Sequence, residues 1–245
     1  MPGVNVLLVE DNEADRILIR EFLSDRPEFS IIETPTLEDA RSGLSNDPID
    51  VVLLDLGLPD AMGIEGLRKI LKCPAPPPII VLTGSEEYET TIDTLRGGAH
   101  DYLTKAEIGR NTVATAIDFT LERRRLEADI DEALAATEAP AGDRTPLQTR
   151  EARHFARLMI QYMDILDRRI DALLYGTDPL DRADVNAIAE QLARLRASAA
   201  DAVEIHHLAL KQAPSRSAPQ RARALTRASR SLLIDVLRLL LDKYR

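Results

Sequence analysis

Tryptophan is absent from this 245-residue sequence, and a single cysteine, Cys73, is its only thiol. One cysteine excludes an intramolecular disulfide and suits a reducing compartment. Aromatic residues make up only 4% of the chain, so Ala, Leu, Ile and Val must build the core. No run of 18 or more apolar residues occurs, which excludes a membrane-spanning helix. The first residues lack the charged-then-apolar layout of a secretory signal. A cytoplasmic protein without a membrane partner is expected. Positive charge is scarce where the chain begins. Residues 1–145 hold 14 Lys and Arg against 29 Asp and Glu, a net of −15, whereas residues 146–245 hold 17 against 12, a net of +5. The acidic part is a poor nucleic-acid binder. The asymmetry predicts two units with different roles.

The first 110 residues alternate between short apolar runs and amphipathic stretches. Strands are expected at Val4–Val9, Phe29–Ile32, Ile49–Leu54, Pro78–Leu82 and Asp101–Leu103. Helices are expected at Ala14–Ser24, Leu37–Ser45, Ile64–Lys72 and Glu87–Arg96. The runs VVLL (51–54) and IIVL (79–82) are continuous rather than alternating, as parallel strands covered on both faces require. Five β-then-α repeats predict an α/β doubly wound fold with a parallel five-stranded sheet. Ligands then bind beyond the carboxyl ends of the strands. A long helix over about 111–138 keeps an apolar stripe and is expected to outrun the first domain (1–125) as a connecting element. EAPAGDRTP, rich in Pro and Gly, marks a linker over 139–147.

The stretch LLVEDNEADR (7–16) runs from an apolar strand straight into Glu10 and Asp11. Adjacent carboxylates repel unless a cation lies near. Asp55 ends the third run, Thr83 the fourth, and Lys105 follows the fifth. In a doubly wound sheet these strand ends can converge. The carboxylates Glu10, Asp11 and Asp55 suit Mg²⁺, which takes one or two carboxylates together with water and phosphate. Thr83 and Lys105 can hold phosphate oxygens.

This ordered set resembles the receiver domain of two-component response regulators, over about residues 3–125. The resemblance implies that Asp55 is the phosphoacceptor and that Glu10 and Asp11 bind Mg²⁺ with the Gly57 backbone carbonyl. It implies that Thr83 and Lys105 contact the phosphoryl group. It also implies a switch in which Thr83 moves and Tyr102 rotates, biasing the surface of the last two receiver helices. The partner implied is a histidine kinase or phosphotransfer protein. Pro59 and Gly63 match the loop after the phosphorylation site. The sequence departs from the family at Ala106, which stands where proline usually follows the lysine. A cis bond there costs about 2.5–4 kcal/mol without proline, so either a looser lysine or a trans bond is expected.

Residues 148–245 show no strand signals and predict an all-α helical bundle. Helices are expected at about 147–175, 179–212 and 219–245. Gly176 ends the first, and Thr177 or Asp178 with Pro179 opens the second. The stripes Val185, Ile188, Leu192, Leu195, Ala199, Val203 and Leu225, Leu232, Val236, Leu239, widened by Leu233 and Leu240, are broad. A homodimeric bundle is therefore expected. SAADAVEIHHLALKQ (198–212) with the Leu-rich helix after it resembles the N-terminal helical domain of RsbU-type phosphatases. It is similar in architecture to the C-terminal domain of the clock protein KaiA. No phosphatase domain follows, so the resemblance implies docking of a signalling protein, a serine kinase or anti-sigma-type regulator, and not an enzyme.

Glu204 and His207 share one helix face, and Arg221 and Arg223 lie in a basic stretch. These four are the candidate docking residues. One alternative is a transcriptional regulator gripping nucleic acid through 211–230, which holds six Lys and Arg and no acid. It lacks aromatics for stacking single strands. Phosphatase or phosphotransfer activity, the latter through His154, is the other alternative. Arg123, Arg124 and Arg125 are expected on a solvated helix face.

Overall fold

A computed structural model describes residues 3–84, 97–136, 145–212 and 219–245, apart from the side chains of Leu134, Ala136 and residues 219–223. The helix expected at Glu87–Arg96 and most of the expected linker lie outside the described residues.

The chain divides into two compact units, residues 1–121 and 122–245. In the first, β1 (Val4–Val9), α1 (Glu13–Leu23), β2 (Phe29–Thr34), α2 (Leu37–Asn46), β3 (Val51–Asp55), α3 (Ile64–Leu71), β4 (Ile79–Thr83) and β5 (Asp101–Thr104) follow one another. The strands form one parallel sheet in the order β2-β1-β3-β4-β5. β3 and β4 are buried along their whole length, which is why their sequences are continuously apolar. Alternate residues feed two cores. Val6, Leu8, Leu53 and Leu82 face one layer with Ile19 and Ile117, while Leu7, Val9, Leu54 and Val81 face the other with Leu67 and Ile70.

Helix α4 (Arg110–Ala136) begins in the first unit, where Val113, Ala116 and Ile117 are buried, and ends in the second, where Leu126 and Ile130 are buried. The second unit is all-α. It continues with a single turn α5 (Leu147–Arg150), then α6 (Ala152–Tyr175), α7 (Arg182–Arg194), α8 (Ala199–Gln212) and α9 (Pro219–Tyr244). Gly176, at φ 69°, closes α6 in the left-handed conformation that glycine adopts without penalty.

Two expectations need correction here. The helix expected over 179–212 is two helices. Arg196 sits at φ 49°, the Ala197 N–H returns to the Leu192 carbonyl at 2.9 Å, and Ser198 starts α8 afresh. Its first part begins at Arg182 rather than Pro179, because Leu180 at φ 48° precludes helix there. Of the broad apolar faces, Leu232, Leu233, Val236, Leu237, Leu240 and Leu241 are buried within one chain, while Leu225 and Leu239 are half-buried.

Candidate phosphoacceptor site

Strand register assembles the site. Val9 lies beside Leu54, so the residues that follow, Glu10 and Asp55, leave the sheet together. Asp55 lies beside Leu82, and Thr83 beside Thr104, so Thr83 and Lys105 leave by the same edge. Glu10 is fully buried, Asp55 and Thr83 are each 4% exposed, and Asp11 is exposed. Ligand oxygens of Glu10, Asp11 and Asp55 all lie within 4.8 Å of one another.

Local sequence holds this cluster in place. The Asn12 side chain caps α1, accepting from the Ala14 and Asp15 N–H groups at 2.9 and 3.4 Å. Arg16 reaches back from the helix, and its Nη1 donates to the Glu10 and Asp11 carbonyls at 2.7 and 2.8 Å. That contact fixes the backbone of the acidic pair. Gly57 leaves room for Asp55, since a Cβ there would lie 3.0 Å from Oδ2.

Lys105 supplies the cation that the acidic pair requires. Its Nζ donates to Glu10 Oε1 at 3.1 Å and stands 2.9 Å from Oε2, and it is 3.3 Å from Asp55 Oδ2. A further carboxylate, Asp15, accepts from it at 2.8 Å. Burial opposes the charge on Lys105, but the hydrogen bonds to Asp15 and Glu10 and the charge on Asp55 outweigh it and raise its pKa. Burial also raises the Glu10 pKa, more than the Lys105 hydrogen bond lowers it. Glu10 Oε2 is buried and accepts no hydrogen bond. A desolvated carboxylate whose Oε2 is ion-paired but accepts no hydrogen bond, beside two more carboxylates, is the oxygen-donor set that Mg²⁺ takes.

No cis peptide occurs among the described residues. The Lys105–Ala106 bond is therefore trans. It opens a short 3₁₀ turn, Lys105–Glu107, in which the Glu107 carboxylate accepts from the Thr104 hydroxyl at 2.7 Å. Tyr102 is half-buried and packs against the core that contains Val81.

The other singled-out residues do not join this site. Glu204 is exposed on α8. His207, expected beside it on a docking surface, turns largely inward against His206, with ring centroids 5.8 Å apart. Arg221 and Arg223 belong to α9, their side chains outside the described residues, and the basic stretch 211–230 is described only in part. His154 is exposed and pairs with Glu151 at 2.9 Å. Arg123 corrects the expectation of a solvated arginine face, because it is only 9% exposed and bonds Glu127, while Arg124 and Arg125 are exposed. Sequence reasoning passed over Asp15 and Arg16. Spacing places both in the first turn of a helix that starts beside the carboxylate pair, but only the Asn12 cap aims them at it.

A parallel five-stranded sheet with acidic residues, a hydroxyl and a lysine at its carboxyl edge defines the receiver class. Residues 6–118 match the family described as the response regulator receiver domain, and this part of the chain belongs to it. The chain is 32% identical over 136 residues to the response regulator UvrY of Escherichia coli (strain K12), a match covering 55% of this chain and 62% of UvrY. It is 37% identical over 102 residues to the cell cycle transcriptional regulator CtrA of Caulobacter vibrioides, covering 42% of this chain and 44% of CtrA. The match thus spans less than two thirds of either relative. Among solved structures, a response regulator receiver domain protein from Clostridium thermocellum is 25% identical with a TM-score of 0.46, covering 50% of this chain and 98% of that one. No helix among the described residues is long and apolar enough to cross a membrane.

Proposed function

We propose that the chain is a phosphorylation-controlled regulator in which Asp55 accepts a phosphoryl group and the helical unit carries the output. The observation that carries this reading is the Asp55 carboxylate, with Glu10 and Asp11 around it and Lys105 Nζ at 3.3 Å. An Asp55 oxygen attacks phosphorus, and the bond from phosphorus to the donor, the imidazole nitrogen of a histidine kinase or the carboxylate oxygen of an acyl phosphate, breaks with its electron pair. Glu10, Asp11, Asp55 and the Gly57 carbonyl are the residues that would hold Mg²⁺, which when bound neutralises charge on the phosphoryl oxygens. Lys105 holds a phosphoryl oxygen with its ammonium, and Thr83 holds another with its hydroxyl. Thr83 and Tyr102 form the switch, the threonine drawn toward the new anion and the tyrosine taking up the space released.

For the output we propose docking of a signalling protein. α7, a four-residue turn and α8 have the order of a helix-turn-helix, but α8 exposes Glu204 and carries only Lys211 as a cation, in its last turn. An acidic exposed face disfavours a DNA phosphate backbone. CtrA's name as a regulator of transcription belongs to a protein matched over 44% of its length.

Acetyl phosphate with Mg²⁺ is expected to add one phosphoryl group by intact-mass measurement, and Asp55→Asn is expected to abolish it. An unmodified wild-type chain under these conditions and with a histidine kinase donor overturns the reading. For the output, capture on the full phosphorylated chain with nuclease present is expected to retain a protein partner. Retention of nucleic acid alone, lost at high salt, reverses that conclusion.

A further inference from the structure

We propose that Asp15 is a positioning residue that competes with the phosphoryl group for Lys105. The inference rests on the phosphoacceptor reading above and deepens it. An ammonium has three donors. In this structure Lys105 spends two of them on carboxylates, Asp15 at 2.8 Å and Glu10 at 3.1 Å. Asp55 is the most distant of its three carboxylate neighbours, at 3.3 Å. The nearest, Asp15, comes from α1 and is not one of the carboxylates gathered within 4.8 Å around Asp55.

Asp15 is fixed where it competes. It sits in the first turn of α1, its N–H held by the Asn12 cap, and Arg16 ties the same turn to the Glu10 and Asp11 carbonyls. Its side chain is 34% exposed and that of Lys105 28%, so water screens the pair only in part. A phosphoryl group arriving on Asp55 must share the ammonium with Asp15 or take it over. Asp15 therefore limits how strongly Lys105 grips the phosphorylated aspartate and keeps the resting chain from closing on weaker anions.

The test uses the full chain with beryllofluoride as the phosphoryl mimic at saturating Mg²⁺, followed by amide NMR around Asp55, and a separate Mg²⁺ titration of the metal-free chain. Asp15→Asn keeps shape and removes charge. It is expected to tighten beryllofluoride roughly threefold while weakening Mg²⁺, since the released ammonium leans toward the metal's own carboxylates. Asp15→Glu is expected to restore wild-type behaviour. Glu13→Gln removes an exposed charge two residues earlier on α1. Its effect is expected to be smaller and to vanish at about 0.5 M salt, where exposed charges are screened within a few ångströms. A gain in Asp15→Asn no larger than in Glu13→Gln, or a loss of beryllofluoride affinity, overturns the proposal. A wild-type chain that ignores beryllofluoride overturns the phosphoacceptor reading and this inference with it, whereas a responding wild type with an unchanged Asp15→Asn overturns this inference alone.

Discussion

Gly57 shows how little room the Asp55 carboxylate has. The position has no positive φ that would exclude other residues, so its constraint is spatial. A Cβ 3.0 Å from Asp55 Oδ2 forces the carboxylate to move by a few tenths of an ångström. Gly57→Ala is therefore expected to weaken Mg²⁺ binding by about tenfold, ~1.4 kcal/mol, with little change in thermal stability. A titration of the metal-free variant followed by NMR checks this. Unchanged affinity would mean that Asp55 relaxes into free space. The residues at strand ends were legible in the sequence because each closes an apolar run. Glu10, Asp11, Asp55, Thr83 and Lys105 could be read from one-dimensional position alone. Asp15 and Arg16 were not, because a residue in a helix's first turn becomes part of a site only through the direction its cap imposes. Lys105 raised the opposite problem. The missing proline after it left a looser lysine or a trans bond open, and the 3₁₀ turn capped by Glu107 brings Nζ to the carboxylates through a trans bond.

At the scale of elements, periodicity located every described strand and the described helices α1, α2 and α3 to within one or two residues. It failed where a stripe ran unbroken across a turn. Val185, Ile188, Leu192, Leu195, Ala199 and Val203 keep helical spacing through the break at Arg196, so apolar pattern alone could not see it. The stop was written in polar residues instead. Ser198 and Asp201 form a reciprocal cap, the Asp201 N–H donating to Ser198 Oγ at 3.2 Å and the Ser198 N–H to Asp201 Oδ2 at 2.8 Å. Asp201 also accepts the Leu147 N–H at 2.7 Å, tying α5 to the start of α8. Ser198→Ala is expected to lower stability by about 1 kcal/mol, read from the urea midpoint, and Ser198→Thr, which keeps the hydroxyl that donates to Asp201 Oδ2, to recover most of it. Arg169 presents a larger case. It pairs with Asp181, bonds Asp235 at 2.8 Å and donates to Ser231 at 3.1 Å, joining α6, the segment before α7, and α9. Asp181 is buried at 6% exposure, so Arg169→Met strands its charge. A loss of about 3–5 kcal/mol is expected. A loss under about 1 kcal/mol would show that Asp181 finds water instead.

At the scale of the whole molecule, the two units are built to respond to different chemistry. The first gathers carboxylates around one lysine, the arrangement on which the proposed response to cations and phosphoryl groups rests. The second buries His206 and largely covers His207 beside it, two of the chain's four histidines. The Tyr162 hydroxyl and His206 Nδ1 lie 2.8 Å apart, and Arg123 is the charged group that acts on both imidazoles. Burial, assisted by His207 and Arg123, holds His206 well below its ordinary pKa, and burial with Arg123 pushes His207 down to about 4. Both are neutral in the fold at pH 7. The unfolded chain binds protons below about pH 6.5 that the folded unit refuses, so stability is complete above that value and declines as pH falls toward 4. Between pH 6.5 and pH 5 His207 alone accounts for a loss of about 2 kcal/mol, and His206 adds to it. Hydrogen exchange resolved by segment is expected to show protection in α6 and α8 falling from pH 7 to pH 5, after correction for intrinsic rates. His207→Gln should flatten much of that slope, whereas His154→Gln, at an exposed position, should leave it intact. A slope that survives His206→Gln with His207→Gln would place the titrating group elsewhere. The pair is invisible to composition and motif, since adjacent histidines on a helix point about 100° apart. Only the packing of α6 against α8 turns one of them fully inward and leaves the other covered beside it.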